Sequence, residues 1–450
     1  MENGRRCWIK WSHEQQVSKS MTFVRVATRI AEAMHTVAAV AFWGSARRGA
    51  VCARGAGFCE GGCVIFYVVY LILVLGALFE VFGGKNISVL GTKVAESKQG
   101  MKYSLSSCFF LVAAVYLWFI VAMRSENIGA DIKNYVRNFY NIERGINNEY
   151  GMELGYQRLN LFFYRFTGSF YLMFFVIALF CCPACYGHIK KHTLFPCFIL
   201  FLYAQQYFFT TEMAQTRQWI AMSIICLGFN FIKEKSLVKW ILLIIFAMQF
   251  HISAICALPL YFTTRITVRP WFAWLMLIFT VWVSLLGMAL VNLIVDITVS
   301  LGFLPKRIAF LLERYIAFEY GRDTGYATGL GYLFNIVCGV YTILLYGFTP
   351  KEKRNEMFML NYCAALFFES MGRNFSEFWR IANYYYICGL GFNVYTLIIQ
   401  KNRLFKGARW FQAICTLLFL GCRVCITCVT MSRPTSILQA CIPYETFLFD

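Results

Sequence analysis

The chain has 450 residues, of which 59% are hydrophobic and only 14% charged, and its mean hydropathy is +0.57. An ordinary soluble domain carries about 25% charged residues, so this composition predicts a protein that folds in lipid and argues against a soluble globular domain. The formal net charge of +19 does not point to nucleic acid, because the Lys and Arg lie mostly in short loops between apolar segments, as membrane topology requires.

In chain order, residues 1–60 read as a poorly ordered basic tail, rich in Gly and Ala toward Arg54, where only the stretch from Ala31 to Trp43 has helical character. The tail lacks the uninterrupted apolar core and cleavage site of a secretion signal, and a start codon assigned too far upstream also produces such a segment. Residues 61–450 read as a single all-α, polytopic transmembrane domain. Apolar stretches of about 20 residues, the length that crosses a hydrocarbon core as a helix, fall near 62–83, 104–123, 166–183, 194–211, 216–233, 271–295, 327–347, 356–371, 378–400 and 409–430. Beta-barrel strands are shorter and alternate in polarity. Residues 236–262 make either one tilted helix or two short ones, interrupted by Gln249, His251 and Pro259. Counting them as such gives about 10–12 membrane segments.

Loop charge decides between those options. Lys190 with Lys191, Lys233 with Lys235 and Lys239, Arg265 with Arg269, Lys351 with Lys353 and Arg354, and Lys401 with Arg403, Lys406 and Arg409 are compact basic clusters. Such clusters belong in the cytoplasm. They share one side only if 236–262 is a re-entrant hairpin that enters from the cytoplasm and returns there. The loops 124–165 and 296–326 and the C-terminus then fall on the outer face, as does the basic tail, against the charge rule.

The 19 cysteines are scattered through apolar runs, where Cys behaves as a small hydrophobe. Cys182 and Cys185 form a C-x-x-C followed by His188 and His192, but Cys422, Cys425 and Cys428 repeat the spacing inside another apolar stretch, so no metal site is assigned. The more informative residues are polar ones at the ends of apolar stretches, because a charge at the centre of a membrane helix costs about 2.5–3.5 kcal/mol on insertion scales. Arg124, Arg217, Arg373 and Arg380 all map to the outer face. A single helix-end Arg often only snorkels to headgroups, whereas several fixed guanidiniums can clamp a diphosphate bidentately. His251 sits near the hairpin tip and has a pKa suited to proton transfer. Tyr384, Tyr385 and Tyr386 read equally as interfacial anchors or a sugar-stacking platform.

The ordered set MRSENIGADIKNYVRNFY, MELGYQRLN, TRQWIAMSI, AMQFHISAICALPLYF, LERYIAFEY and FWRIANYYY resembles the EpsG family of Wzy-like bacterial polysaccharide polymerases, from about residue 62 to the C-terminus. The family's G-x-D-x-x-x-Y element matches at Gly129, Asp131 and Tyr135. The resemblance implies a multi-pass protein of the bacterial inner membrane, active in exopolysaccharide, capsule or O-antigen assembly. The implied substrate is an oligosaccharide carried on undecaprenyl pyrophosphate, with chain-length regulators or export proteins as possible partners.

Such a glycosyl transfer starts from an activated leaving group, so no cofactor or metal is required. The protein must neutralise the departing diphosphate, orient the acceptor and remove one proton. Arg217 and Arg380 are the candidates for diphosphate contacts, with Arg124 in support. Asp131, Glu153 and His251 remain three open candidates for the base. Gln218, Tyr135, Tyr156 and Tyr384 are candidates for positioning sugars. Two other classes fit the same composition: a flippase for lipid-linked sugars, and a non-catalytic membrane subunit of an export complex. A flippase should carry unusual charge toward both leaflets, whereas this chain gathers it on one side.

Overall fold

The computed structural model describes residues 59–82, 105–144, 152–286, 329–372, 376–399 and 409–431, with a few isolated positions beyond them. Nearly all of the basic tail, nearly all of the loop 296–326, Arg373 and the basic cluster at 401–406 lie outside the described residues. Among those described the chain is all-helical, with no strand. We number the helices α1 (Cys59–Phe82), α2 (Leu105–Ala122), α3 (Ile132–Asn141), α4 (Leu154–Thr167), α5 (Phe170–His192), α6 (Pro196–Tyr203), α7 (Thr216–Leu227), α8 (Phe229–Lys233), α9 (Leu237–Met248), α10 (Leu260–Thr263), α11 (Pro270–Leu286), α12 (Gly329–Phe348), α13 (Glu356–Met371), α14 (Ser376–Asn383), α15 (Thr396–Ile399) and α16 (Arg409–Met431). Phe170–His192 and Gly331–Phe348 are long and apolar enough to cross a membrane.

Local signals explain where these helices begin and end. Gly168 closes α4 in the left-handed conformation (φ +64°), its amide donating to the carbonyls of Phe163 and Tyr164, as a helix-terminating glycine does. Ser169 then caps α5 by accepting from the Leu172 amide at 3.3 Å. Helix α6 starts on Pro196, which has no amide hydrogen to satisfy. Its next two amides, of Cys197 and Phe198, donate to the Glu80 carboxylate of α1 at 2.8 and 3.1 Å. A carboxylate thus caps a helix 117 residues away in sequence.

Two helices continue into wide π turns, Ala204–Glu212 after α6 and Tyr384–Cys388 after α14. Such turns interrupt the regular backbone ladder and are common at functional sites. They pack together, with the Asn383 amide donating to the Thr211 hydroxyl at 3.1 Å and the rings of Tyr207 and Tyr386 5.9 Å apart. Segment 237–263 doubles back on itself. The Tyr261 hydroxyl donates to the Lys235 carbonyl at 2.6 Å, and the Trp240 indole to the Leu258 carbonyl at 3.2 Å. Both limbs therefore return to the same end, with Gln249–His251 at the tip.

The two ends of the bundle differ. At one, Lys233 reaches His192 at 2.9 Å, Tyr261 closes on Lys235, and the Tyr346 hydroxyl joins Val268 at 2.8 Å beside Arg354. The basic clusters at 190–191, 233–235, 265–269 and 351–354 thus gather together. Helices α2 and α5 run antiparallel between the ends, Lys190 lying over Phe110 at 5.7 Å and Arg124 over Phe174 at 4.1 Å. The Arg124 end also receives the C-terminal segment through a backbone bridge to Thr446. Large apolar side chains line the outer faces between the ends, among them Leu111, Phe180 and Leu285, which are 59%, 72% and 73% exposed.

At the Arg124 end, Arg124 donates to the Met213 carbonyl at 2.5 Å. Gly129 (φ +111°) packs on that carbonyl so closely that a Cβ there would lie 2.1 Å from it. Only glycine tolerates both the angle and the approach. Gly129→Ala should therefore cost about 2 kcal/mol. Thermal unfolding of the purified protein in detergent should show a lowered midpoint, and an unchanged midpoint would contradict this packing.

Candidate functional site

Segments distant in sequence converge at the Arg124 end on one carboxylate. Glu153 ends an extended segment just before α4. The amides of Gly155 and Tyr156 in the first turn of α4 donate to the Gln249 carbonyl at 2.9 and 3.3 Å, which pins that turn to the hairpin tip. Gly155 makes the approach possible, since a Cβ there would meet the Gln249 carbonyl oxygen at 2.7 Å.

Glu153 Oε2 accepts from Arg217 Nη1 at 2.7 Å. Its Oε1 faces His251 Nδ1 at 3.0 Å and accepts the Ile252 amide at 3.1 Å. The three side chains are largely buried, being 12–20% exposed. Burial opposes ionisation of Glu153, but the hydrogen bond from His251 and the charge of Arg217 together outweigh it and hold the carboxyl down at about 2. An ionised carboxylate can only accept, so His251 Nδ1 must carry a proton. In the neutral ring, Nε2 is then the unprotonated nitrogen. Nε2 has no hydrogen-bond partner among the described residues.

Around this centre, the Arg217 guanidinium lies 5.9 Å from the Tyr135 ring centroid, and Tyr135 packs edge-on against Tyr156 at 5.7 Å. The Gln218 side chain donates to the Arg380 carbonyl at 2.7 Å, tying α7 to α14. The Arg380 charge is near enough to bear on both Tyr135 and His251. Ser253, two residues beyond His251, shares a 3.0 Å hydrogen bond with the Tyr384 hydroxyl.

Arg217, Glu153, His251, Tyr135, Gln218 and Arg380 are therefore brought together. Asp131 stands half-buried at the N-terminus of α3, its carboxylate joined to neither Arg217 nor His251. Arg124 is buried against Met213 and Phe174. Tyr156 and Tyr384 are completely buried, so their rings are not open to a sugar here. The C-x-x-C residues face separate partners, Cys182 toward Glu212 and Cys185 toward Ser223, while His188 Nε2 lies at the Cys388 carbonyl. Among the described residues no group of three His, Cys, Asp or Glu is placed to hold a metal ion.

The sequence reading passed over two carboxylates deeper in the bundle. Glu212 accepts from the hydroxyls of Tyr186 and Tyr203. Glu369 accepts from Gln206, Asn335 and Tyr386 at 2.7, 2.9 and 2.6 Å. The available signal was an acid within or beside an apolar stretch, which in such a place demands donors.

The sequence model of the EpsG family matches residues 107–446, most of the chain. The chain belongs to the EpsG family. This is a family of Wzy-like polysaccharide polymerases, and its membership together with the apolar helices marks a membrane protein acting on a lipid-linked glycan. No curated protein and no solved structure matches the chain.

Because the Glu153 value in the folded protein is depressed, the stabilisation it gives is present above the unfolded carboxylate range near about 4.3. That stabilisation is lost progressively as pH falls from that range, and is gone once pH has passed through about 2. Gly155→Ala should push the first turn of α4 off the hairpin tip and return Glu153 toward the ordinary range. Carboxyl ¹³C titration of Glu-labelled protein should show that rise, and an unmoved titration would contradict the role given to Gly155.

Proposed function

We propose that this EpsG-family protein is a multi-pass enzyme of the bacterial cytoplasmic membrane that joins undecaprenyl-diphosphate-linked oligosaccharide repeat units into a surface polysaccharide at the outer leaflet. The observation that carries this reading is the pairing of Arg217 and His251 on Glu153 at the end of the bundle opposite the gathered basic clusters. Basic loops face the cytoplasm, so the cluster faces outward, at the depth where a lipid diphosphate sits. The exposed apolar flanks of the helices support a lipid environment.

In this reading a hydroxyl oxygen of the acceptor sugar attacks the anomeric carbon of the growing glycan. The bond from that carbon to the diphosphate oxygen breaks, and its electron pair leaves with the lipid diphosphate. The hydroxyl proton passes to His251 Nε2. Arg217, on the first turn of α7, and Arg380 neutralise the leaving diphosphate, while Gln218 holds the two helices in register. Stabilising charge as it develops is the larger catalytic task, and proton removal contributes about 10²–10⁴-fold. Arg124 and Tyr156 act as support, anchoring the segments that carry Tyr135 and Arg217. Asp131 is not needed as the base.

The decisive test is incubation of a defined lipid-linked oligosaccharide with the purified protein in lipid, followed by gel analysis of glycan length. Longer glycans formed without added proteins support the polymerase. Transfer between leaflets without elongation would replace it with a flippase, and neither activity would leave a structural subunit. Arg217→Ala should abolish elongation while the protein still accumulates. Arg217→Lys should also fail, because an ammonium lacks the planar fork that binds a diphosphate bidentately; rescue by Lys would show that charge alone suffices.

A further inference from the structure

Glu153 holds two partners with two different oxygens, Arg217 on Oε2 and His251 on Oε1. It therefore cannot serve as a free base, and anything that changes its bond to one partner changes what it offers the other. A diphosphate carries more charge than a carboxylate and matches the guanidinium fork, so its arrival at Arg217 competes with Glu153 for that group. We propose that Glu153 is a positioning residue that couples donor binding to base activation: the diphosphate draws Arg217 away, and the freed carboxylate turns wholly to His251. The proposal rests on the reading of Arg217 as the diphosphate contact.

Among the described residues, the charges that bear most on His251 are Glu153 from the start of α4, Arg217 from α7 and Arg380 from α14. Tyr384 shares a hydrogen bond with Ser253 of the hairpin, and Tyr135 lies beyond Arg217. With Arg217 close, the carboxylate's charge is shared between a permanent cation and the imidazole. With Arg217 engaged elsewhere, the same charge favours the imidazolium, so Nε2 becomes a stronger base when a leaving group is in place. Before the donor binds, burial of the imidazole first, and then the nearby Arg217 charge, keep the base weak, which guards against adventitious proton removal.

The coupling is testable without any glycan. Protein labelled at histidine ¹³Cε1 is placed in lipid nanodiscs, with the His251 signal assigned by its loss in His251→Gln. Its titration is followed with and without saturating inorganic pyrophosphate. Pyrophosphate should raise the wild-type midpoint, partly by its own charge and partly through Glu153. In Glu153→Gln only the direct part remains, so the rise should fall by at least half. Glu153→Asp keeps the charge but cannot span both partners, and it should lose coupling likewise if the glutamine variant fails to accumulate. Equal rises in the wild type and both variants, or no response of His251 to pyrophosphate in any of them, overturn the proposal. Because the readout is a titration, coupling without glycan elongation would refute the polymerase reading alone, and elongation without coupling would refute only this one.

Discussion

The site depends on one buried carboxylate satisfied from two sides. Removing a charge from water is expensive, and a buried ion pair is retained only when geometry and further hydrogen bonds make up the loss. Glu153 meets that condition with a guanidinium, an imidazole and a backbone amide. Each comes from a part of the chain that local propensity alone would not bring near it. The carboxylate therefore fixes where α4, α7 and the hairpin tip stand relative to one another, and it fixes the imidazole tautomer at the same time.

Backbone contacts set up this meeting before any charge is considered. Two glycines let chain segments touch at carbonyl oxygens, Gly129 at Met213 and Gly155 at Gln249. The first anchors the segment leading into α7, and the second presses the start of α4 onto the hairpin. The π turns after α6 and α14 supply the rest of the polar interior. Gln206 and Tyr386 from these turns reach Glu369, Thr211 accepts from Asn383 at the end of α14, and the irregular backbone stays where neighbouring helices can satisfy it. Irregular elements and charged groups thus occupy the same region, while the regular helices present apolar side chains outward.

Much of this was legible in the sequence, for physical reasons that differ by feature. Apolar runs marked some helices closely, so that 356–371 and 409–430 became α13 and α16 almost without change, whereas 194–211, 216–233 and 378–400, each read as one span, are broken into shorter helices and π turns. The doubling back of 236–262 was readable from where lysines and arginines lie, because their clusters gather at one end only if this segment turns back. The grouping of Arg217, Gln218, His251 and Arg380 was readable as unusual polarity at segment ends. What could not be read was pairing. Nothing in spacing distinguishes Glu153 from Asp131 as the partner of His251, since that depends on a close approach between Gly155 and Gln249, 94 residues apart by their numbers. The burial of Tyr156 and Tyr384 was equally hidden, because an aromatic ring fits an interface and a core alike.

A diphosphate site, a proton acceptor and the residue between them form one unit in this account, and its existence is a question of energetic coupling. The most direct measurement is a double-mutant cycle on thermal stability with Glu153→Gln, Arg217→Met and the double variant. Each single change leaves its partner without the ion pair, at a cost below the ~3–5 kcal/mol of a fully buried pair because Glu153 keeps His251 and the Ile252 amide, whereas the double change removes both charges together. The account predicts strong non-additivity, with the double variant no less stable than the worse single one. Additive losses would mean that Glu153 and Arg217 do not depend on each other, and would contradict it.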